Sequence, residues 1–194
     1  WRVASLIARG GQGEVYRAER ADGQFEQQAA IKVLRSGYDR ARVASRFAAE
    51  RQLLAGLDHP NLARVLDAGT TDEGVPYFVM ELVDGLPITR YCDERRLDLR
   101  ARLRLFGHVC QAVRYAHQQL TVHCDIKPGN ILVGEFGEVA IIDWGMAARF
   151  PSDGTRTAGA VAGTPDYMPP EQADGLADVR SDVFGLGAIL FEIL

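Results

Sequence analysis

The sequence predicts an α+β fold in two lobes, a small antiparallel-sheet lobe with one helix over residues 1–83 and a mostly helical lobe over residues 84–194. Three observations carry this. Short runs alternating apolar and polar residues, separated by glycine and Asp-Gly turn signals, fill the first part of the chain. Within that part only residues 39–57 change to a helical period. From residue 99 onward, apolar residues recur at spacings of 4, 3, 4, 3 and 4, as on one stripe of a long helix.

Taken in order, Val3, Ser5 and Ile7, then residues 14–20, then 28–34 read as strands. The glycine cluster at 10–13 and the turn at Ala21, Asp22 and Gly23 divide them. Val43, Phe47, Glu50, Leu53, Leu54 and Leu57 mark the helix, which should stop before Pro60 because proline disfavours helical geometry in the residue preceding it. Residues 62–69 and 75–81 form a strand pair, and 84–87 a connector. The long helix carries two apolar stripes. Leu99, Leu103, Phe106, Cys110, Val113 and His117 form one; Leu105, Val109, Ala112 and Ala116 form the other, which predicts deep burial. Arg100, Arg102 and Arg104 point in different directions around it and read as a solvated surface. Residues 131–133 and 139–142 are short strands joined by a turn at Glu135, Phe136 and Gly137. Residues 145–166, rich in Gly, Ala, Ser and Thr, form a loop long enough to suggest a functional role.

Composition narrows the class. With 47% hydrophobic and 25% charged residues in 194, the chain can bury a core without disulfides or metal, and collagen-like, disordered and coiled-coil classes are excluded. A net charge of −4 gives no electrostatic reason to expect nucleic acid as partner. Cys92, Cys110 and Cys124 cannot all pair and lack CxxC spacing, which argues against a disulfide scaffold or structural zinc and fits a reducing, cytoplasmic compartment. The most apolar stretch, 183–194, is too short to span a bilayer and contains Glu192, so no membrane segment is expected in this chain. That stretch runs as a helix into the last residue without a capping glycine or polar tail, as expected of a domain cut short, whose full-length form could be membrane-anchored elsewhere.

Three motifs carry chemistry. The first, residues 8–16, presents glycines between two strands, with bare amides suited to phosphate oxygens. Alone it is weak, because 20 glycines in 194 residues produce a given glycine pair about twice by chance. In the second, residues 29–34, Lys32 sits among apolar neighbours. A buried lysine needs a carboxylate, and Glu50 on the inward stripe of the following helix is the candidate; a lysine snorkelling from an edge strand is the alternative. The strongest motif is His-Cys-Asp-Ile-Lys-Pro-Gly-Asn at 123–130, followed by Asp143, Trp144 and Gly145. Here Asn130 and Asp143 supply oxygen ligands suited to Mg²⁺, and Asp125 is left to orient a hydroxyl nucleophile. Each residue alone could be a turn former, but the set together is poorly explained that way.

With these residues in order, the chain resembles the eukaryotic-type protein kinase family over nearly its whole length, with a texture most similar to bacterial serine/threonine kinases. The resemblance sets residues 8–16 as the glycine-rich loop, Lys32 as the third-strand lysine, Glu50 as its partner and residues 123–130 as the catalytic loop. Asp143, Trp144 and Gly145 stand for Asp-Phe-Gly, and Pro169, Pro170 and Glu171 for Ala-Pro-Glu. Ser181 and Asp182 open the buried helix that follows. It implies a two-lobed kinase fold and Mg²⁺-dependent transfer of the ATP γ-phosphoryl group to a protein Ser/Thr hydroxyl, including possible self-phosphorylation. Lys32 would hold the α and β phosphates, and the region of Ala8, Gly10, Gly11 and Gly13 would cover them. Val15, Ala30 and Leu132 would sandwich adenine, Met80 would back the pocket, and the hinge backbone at Glu81 and Val83 would read the base edge. Asp125 would orient the hydroxyl, Lys127 would neutralise the transferred group, and Asn130 and Asp143 would carry Mg²⁺. Lys127 and the Gly163-Thr164 pair favour hydroxyl amino acids over tyrosine by the same resemblance.

Four positions depart from the pattern: Ala8 for the first loop glycine, Trp144 for Phe, Pro169 for Ala, and Cys124 for the arginine that commonly precedes the catalytic aspartate. A thiol cannot make a charge-assisted bond to a phosphate, so phosphorylation at Ser152, Thr155 or Thr157 is not expected to be the main switch. His123 reads as a packing residue beneath Trp144, and His108 and His117 as helix positions. The departures also admit a pseudokinase, a nucleotide-binding scaffold. A small-molecule kinase is less compatible with residues 163–171.

Overall fold

The structure, a computed structural model, describes residues 1–11, 13–34, 56–150 and 163–194. The predicted helix at 39–57 and its Glu50 lie, up to residue 55, outside the described residues, as do Ser152, Thr155 and Thr157.

Alternation in the sequence becomes a five-stranded antiparallel sheet built from β1 (Arg2–Gly10), β2 (Gly13–Glu19), β3 (Gln28–Leu34), β4 (Val65–Thr70) and β5 (Pro76–Glu81). The order is β1-β2-β3-β5-β4, which puts β3 at the centre. Its residues Ala29, Ala30, Ile31 and Lys32 are all buried, as a central strand covered on both faces requires. Strand period then separates two faces. Ala18, Ala29, Ile31 and Val79 form an apolar cluster with Val33 and Tyr77 against it on one face. The opposite face is the one of interest for function. At the β1–β2 turn the chain passes so close to β3 that a Cβ on Gly13, whose φ is +156°, would lie 2.0 Å from the Val33 carbonyl oxygen; only glycine fits there.

The remaining elements form a second unit, joined in sequence at residues 83–84 and also containing residues 59–62. The strand expected from residue 62 begins instead at Val65, because the preceding residues are tied to the second unit. Asn61 donates from Nδ2 to the Val139 carbonyl (2.7 Å), its own carbonyl accepts from Ile141 N (2.8 Å), and Leu62 bridges Ile141.

That unit contains β6 (Leu86–Pro87), α1 (Ile88–Glu94), α2 (Leu99–Gln118), β7 (Thr121–Val122), β8 (Ile131–Val133), β9 (Val139–Ile141), β10 (Ala148–Arg149), α3 (Pro170–Ala173) and α4 (Val179–Ile193). The expected connector supplies β6, an edge strand beside β8, where a proline is tolerated. The long loop after residue 145 likewise contributes β10, paired to β7. Asp98 caps α2 by accepting from Ala101 N (2.7 Å), and Asp178 and Ser181 form a reciprocal capping box on α4.

Only one of the two stripes on α2 is fully covered. Leu105, Val109, Ala112 and Ala116 are buried, on a helix that packs on β7, β9 and α4. On the other stripe Val113 is buried, but Leu99 and Leu103 remain 58% and 43% exposed. Arg102 also differs from expectation. Its guanidinium is mostly buried and donates to the carbonyls of Leu97 (2.9 Å) and Ile193 (3.1 Å) while pairing with Asp93 (3.0 Å), so it closes the C-terminal end of α4 rather than facing solvent. No helix among the described residues is long and apolar enough to cross a membrane.

Candidate active site

In the first unit, strand register decides which side chains share a face. Val15 stands opposite Lys32, Ala8 opposite Val15, and Ala30 opposite Met80. Directly paired residues and those two apart point to the same side, so Ala8, Val15, Ala30, Lys32 and Met80 all lie on the face opposite the apolar cluster. Phe78, opposite Lys32, joins them; its place could have been read from the alternation in 76–81. Lys32 is 4% exposed, as the buried reading of residues 29–34 requires. A Cβ added at Gly10 or Gly11 would meet no other atom within 4 Å, so the turn is open for a phosphate chain. Ala8 lies in β1 next to a register shift of the β1–β2 ladder between Leu6 and Ala8, and it is not in a left-handed conformation, so its methyl group meets no backbone penalty of that kind. Glu81 ends β5, with Val83 shortly after it.

The second unit brings Asp125, Lys127 and Asn130 together in the irregular stretch between β7 and β8. Lys127 Nζ lies 2.8 Å from Asp125 Oδ2 and 2.6 Å from Thr164 Oγ1, while the Thr164 hydroxyl donates to Asp125 Oδ1 at 2.8 Å. Burial by itself would raise the Asp125 carboxyl, but the hydrogen bonds from Lys127 and Thr164 and the lysine charge outweigh it and hold the group below the usual aspartate range. Asn130 spends its amide N–H donors on the Asp125 carbonyl (2.8 Å) and Oδ2 (3.1 Å), which leaves Oδ1 as its acceptor atom.

Strand pairing carries Asp143 to the same place. Ile131 pairs with Ile141, and the ladder continues through Ile142 N to the Asn130 carbonyl (2.9 Å), so Asp143 follows directly beside Asn130. Asp143 is half-buried with φ +60°, a left-handed conformation that aspartate tolerates better than most residues. One carboxylate and one amide oxygen are a donor set that suits Mg²⁺ when phosphates and water complete its shell. Among the described residues no cluster of three or more His, Cys, Asp or Glu forms a self-sufficient metal cage. Leu132, half-buried in β8, stands between the two Mg²⁺ candidates in sequence and pairs with Ala140.

The loop is held from below by groups that local spacing did not reveal. Asp182 on α4, 1% exposed, accepts from the N–H groups of His123 and Cys124 (both 2.9 Å) and from His117 Nε2 (2.8 Å). His117 is therefore more than a helix position; a polar residue on an inward stripe was the available clue. His123 accepts from Asp125 N at Nδ1 (3.2 Å) and donates from Nε2 to the Ile142 carbonyl (3.1 Å), so both ring nitrogens are engaged in holding the loop. Its ring lies 4.5 Å from that of Trp144 at 60°, as expected of a packing residue. The Trp144 indole N–H is buried and has no hydrogen-bond partner among the described residues, a cost that a Phe would avoid. Cys124, buried beside the aspartate, has φ +65°.

A family model described as the protein kinase domain matches residues 1–194. The chain is 36% identical to the serine/threonine-protein kinase PrkC of Bacillus subtilis over all of its own length and 30% of that protein. It is 37% identical to PknB of Mycolicibacterium smegmatis, over all of this chain and 32% of that protein, and 39% identical to PknA of Mycobacterium tuberculosis, over 99% and 46%. It thus spans about a third of the length of the first two of these relatives. The family model and these relatives show that the chain belongs to the protein kinase family.

Proposed function

We propose that the protein is a Mg²⁺-dependent serine/threonine kinase that transfers the γ-phosphoryl group of ATP to a hydroxyl of protein substrates, itself included. One observation carries the reading: Asp125 accepts a hydrogen bond from the hydroxyl of Thr164 while paired to Lys127 and held by Asn130. A carboxylate kept charged and already oriented toward a threonine hydroxyl is equipped to orient a substrate hydroxyl in the same manner. Lys127 then offers positive charge where the transferred group acquires negative charge.

ATP and Mg²⁺ supply the phosphoryl group and the neutralising cation when bound. Asn130 and Asp143 would hold the metal; Lys32 would hold the phosphates, with the backbone around Gly10 and Gly11 covering them; and Val15, Ala30, Met80 and Leu132 would enclose adenine, with Glu81 and Val83 at its edge. Glu50 is proposed as the partner of Lys32. Catalysis of this kind consists of positioning and charge stabilisation, which the bonded network around Asp125 favours. A cytoplasmic site of action and the absence of nucleic acid among its partners complete the reading. The pseudokinase alternative predicts nucleotide binding without transfer. Incubating the full-length protein with radiolabelled ATP, Mg²⁺ and a generic basic protein separates the two: label incorporation that Asp125→Asn abolishes supports the kinase, and equal signals from both proteins refute it.

A further inference from the structure

We propose that Gln172 is a positioning residue that sets the orientation of the catalytic aspartate and ties it to the segment carrying Thr164; this rests on the kinase reading above. Gln172 lies in α3, 4% exposed, just beyond the residues that the family resemblance singles out. Its Nε2 donates to the Cys124 carbonyl at 2.6 Å. Cys124 is the residue with φ +65°, a conformation that costs free energy for a side chain other than Gly, Asn or Asp and must be held by its surroundings. Each polar backbone group there is held. Cys124 N donates to Asp182, Asp125 N to His123, and the intervening carbonyl accepts from Gln172. The peptide between Cys124 and Asp125 is thereby pinned at both ends, and its plane determines where the Asp125 side chain leaves the backbone.

The same bond reaches the substrate side. Gly163, with φ +136°, packs so closely that a Cβ would lie 2.6 Å from Gln172 Nε2 and 3.1 Å from the Cys124 carbonyl. The next residue is Thr164, which bonds both Asp125 and Lys127. A closed ring results: Asp125 to Cys124, across to Gln172, against Gly163, and through Thr164 back to Asp125. Removing the amide donor takes this bond from the carbonyl in a buried site and loosens the hold on the strained peptide.

The test compares full-length protein with Gln172→Met, which keeps the volume and removes the donor, and Gln172→Glu, which sets a carboxylate against the carbonyl. Expected for Gln172→Met is a kcat reduced about tenfold with the KM for ATP within about twofold, at an unchanged folded fraction by circular dichroism. For Gln172→Glu the loss is larger at neutral pH, and activity relative to the parent rises as pH is lowered from about 8 to about 6, because the protonated carboxyl can donate again. Hydrogen exchange at the amides of 122–126 should quicken in both variants, a readout that needs no activity. Parental exchange and parental kcat in Gln172→Met would overturn the proposal. A parent that transfers no phosphate while exchange still responds to Gln172 would overturn the kinase reading and leave the strut standing.

Discussion

Asp125 is charged because its neighbours outweigh its burial, and that has a pH consequence. A carboxyl held below its ordinary value of 3.8 contributes stability that is complete above that value and is lost as pH falls through the lowered one. Thr164→Val removes one of the hydrogen bonds responsible. Acid unfolding of the variant should therefore begin at higher pH than in the parent, with kcat down about tenfold, and an unchanged acid transition would show that the hydroxyl does not act on Asp125. At Trp144 the buried indole N–H has no partner among the described residues, so Trp144→Phe trades lost apolar contact against relief of that donor and should leave stability within about 1 kcal/mol, read by thermal denaturation. At this scale the sequence was most legible where chemistry is local. Asp125, Lys127 and Asn130 announce themselves through spacing within one short stretch. Asp182, His117 and Gln172 do not, because their partners lie 59, 65 and 48 residues away along the chain.

Elements position these groups by close approach. At Gly185 in α4 a Cβ would stand 2.6 Å from the Ile126 carbonyl oxygen and 3.0 Å from Ile126 Cβ. Gly185→Ala must push the helix from the catalytic loop, and we expect a loss of about 1–3 kcal/mol together with reduced activity. Asp182→Asn is the complementary change. The aspartate accepts three hydrogen bonds through two oxygens, whereas an amide keeps one acceptor, so buried donors are orphaned; a cost of about 2–4 kcal/mol is expected in chemical denaturation. Periodicity revealed the strands and the long helix well because each buries one regular face. It overstated α2, since Leu99 and Leu103 belong to the apolar stripe and yet stay exposed. It also misplaced Arg102, whose reach to the carbonyl at Ile193 depends on where α4 ends in space rather than on its own position in a helix.

For the whole molecule, the division into a sheet unit and a largely helical unit was legible from the change of period, and the register of the sheet then gathered Ala8, Val15, Ala30, Lys32 and Met80 on one face without any further assumption. The excursion of residues 59–62 to the second unit was not legible, because Asn61 reads locally as a turn residue and only its bonds to β9 reveal the attachment. Mg²⁺ and ATP should stabilise the full-length protein by mass action, by about 2.7 kcal/mol at a hundredfold excess over Kd, and EDTA or Asp143→Asn should diminish that gain. Whether Asp125 directs phosphoryl transfer to a hydroxyl is decided by radiolabelled phosphate transfer by the full-length protein against its Asp125→Asn variant, with folding matched by circular dichroism. Mg²⁺-dependent incorporation on serine or threonine is expected in the parent, with a loss of at least about a hundredfold in the variant. Equal incorporation by the two proteins, or none by a folded parent that binds Mg²⁺ and ATP, would contradict it.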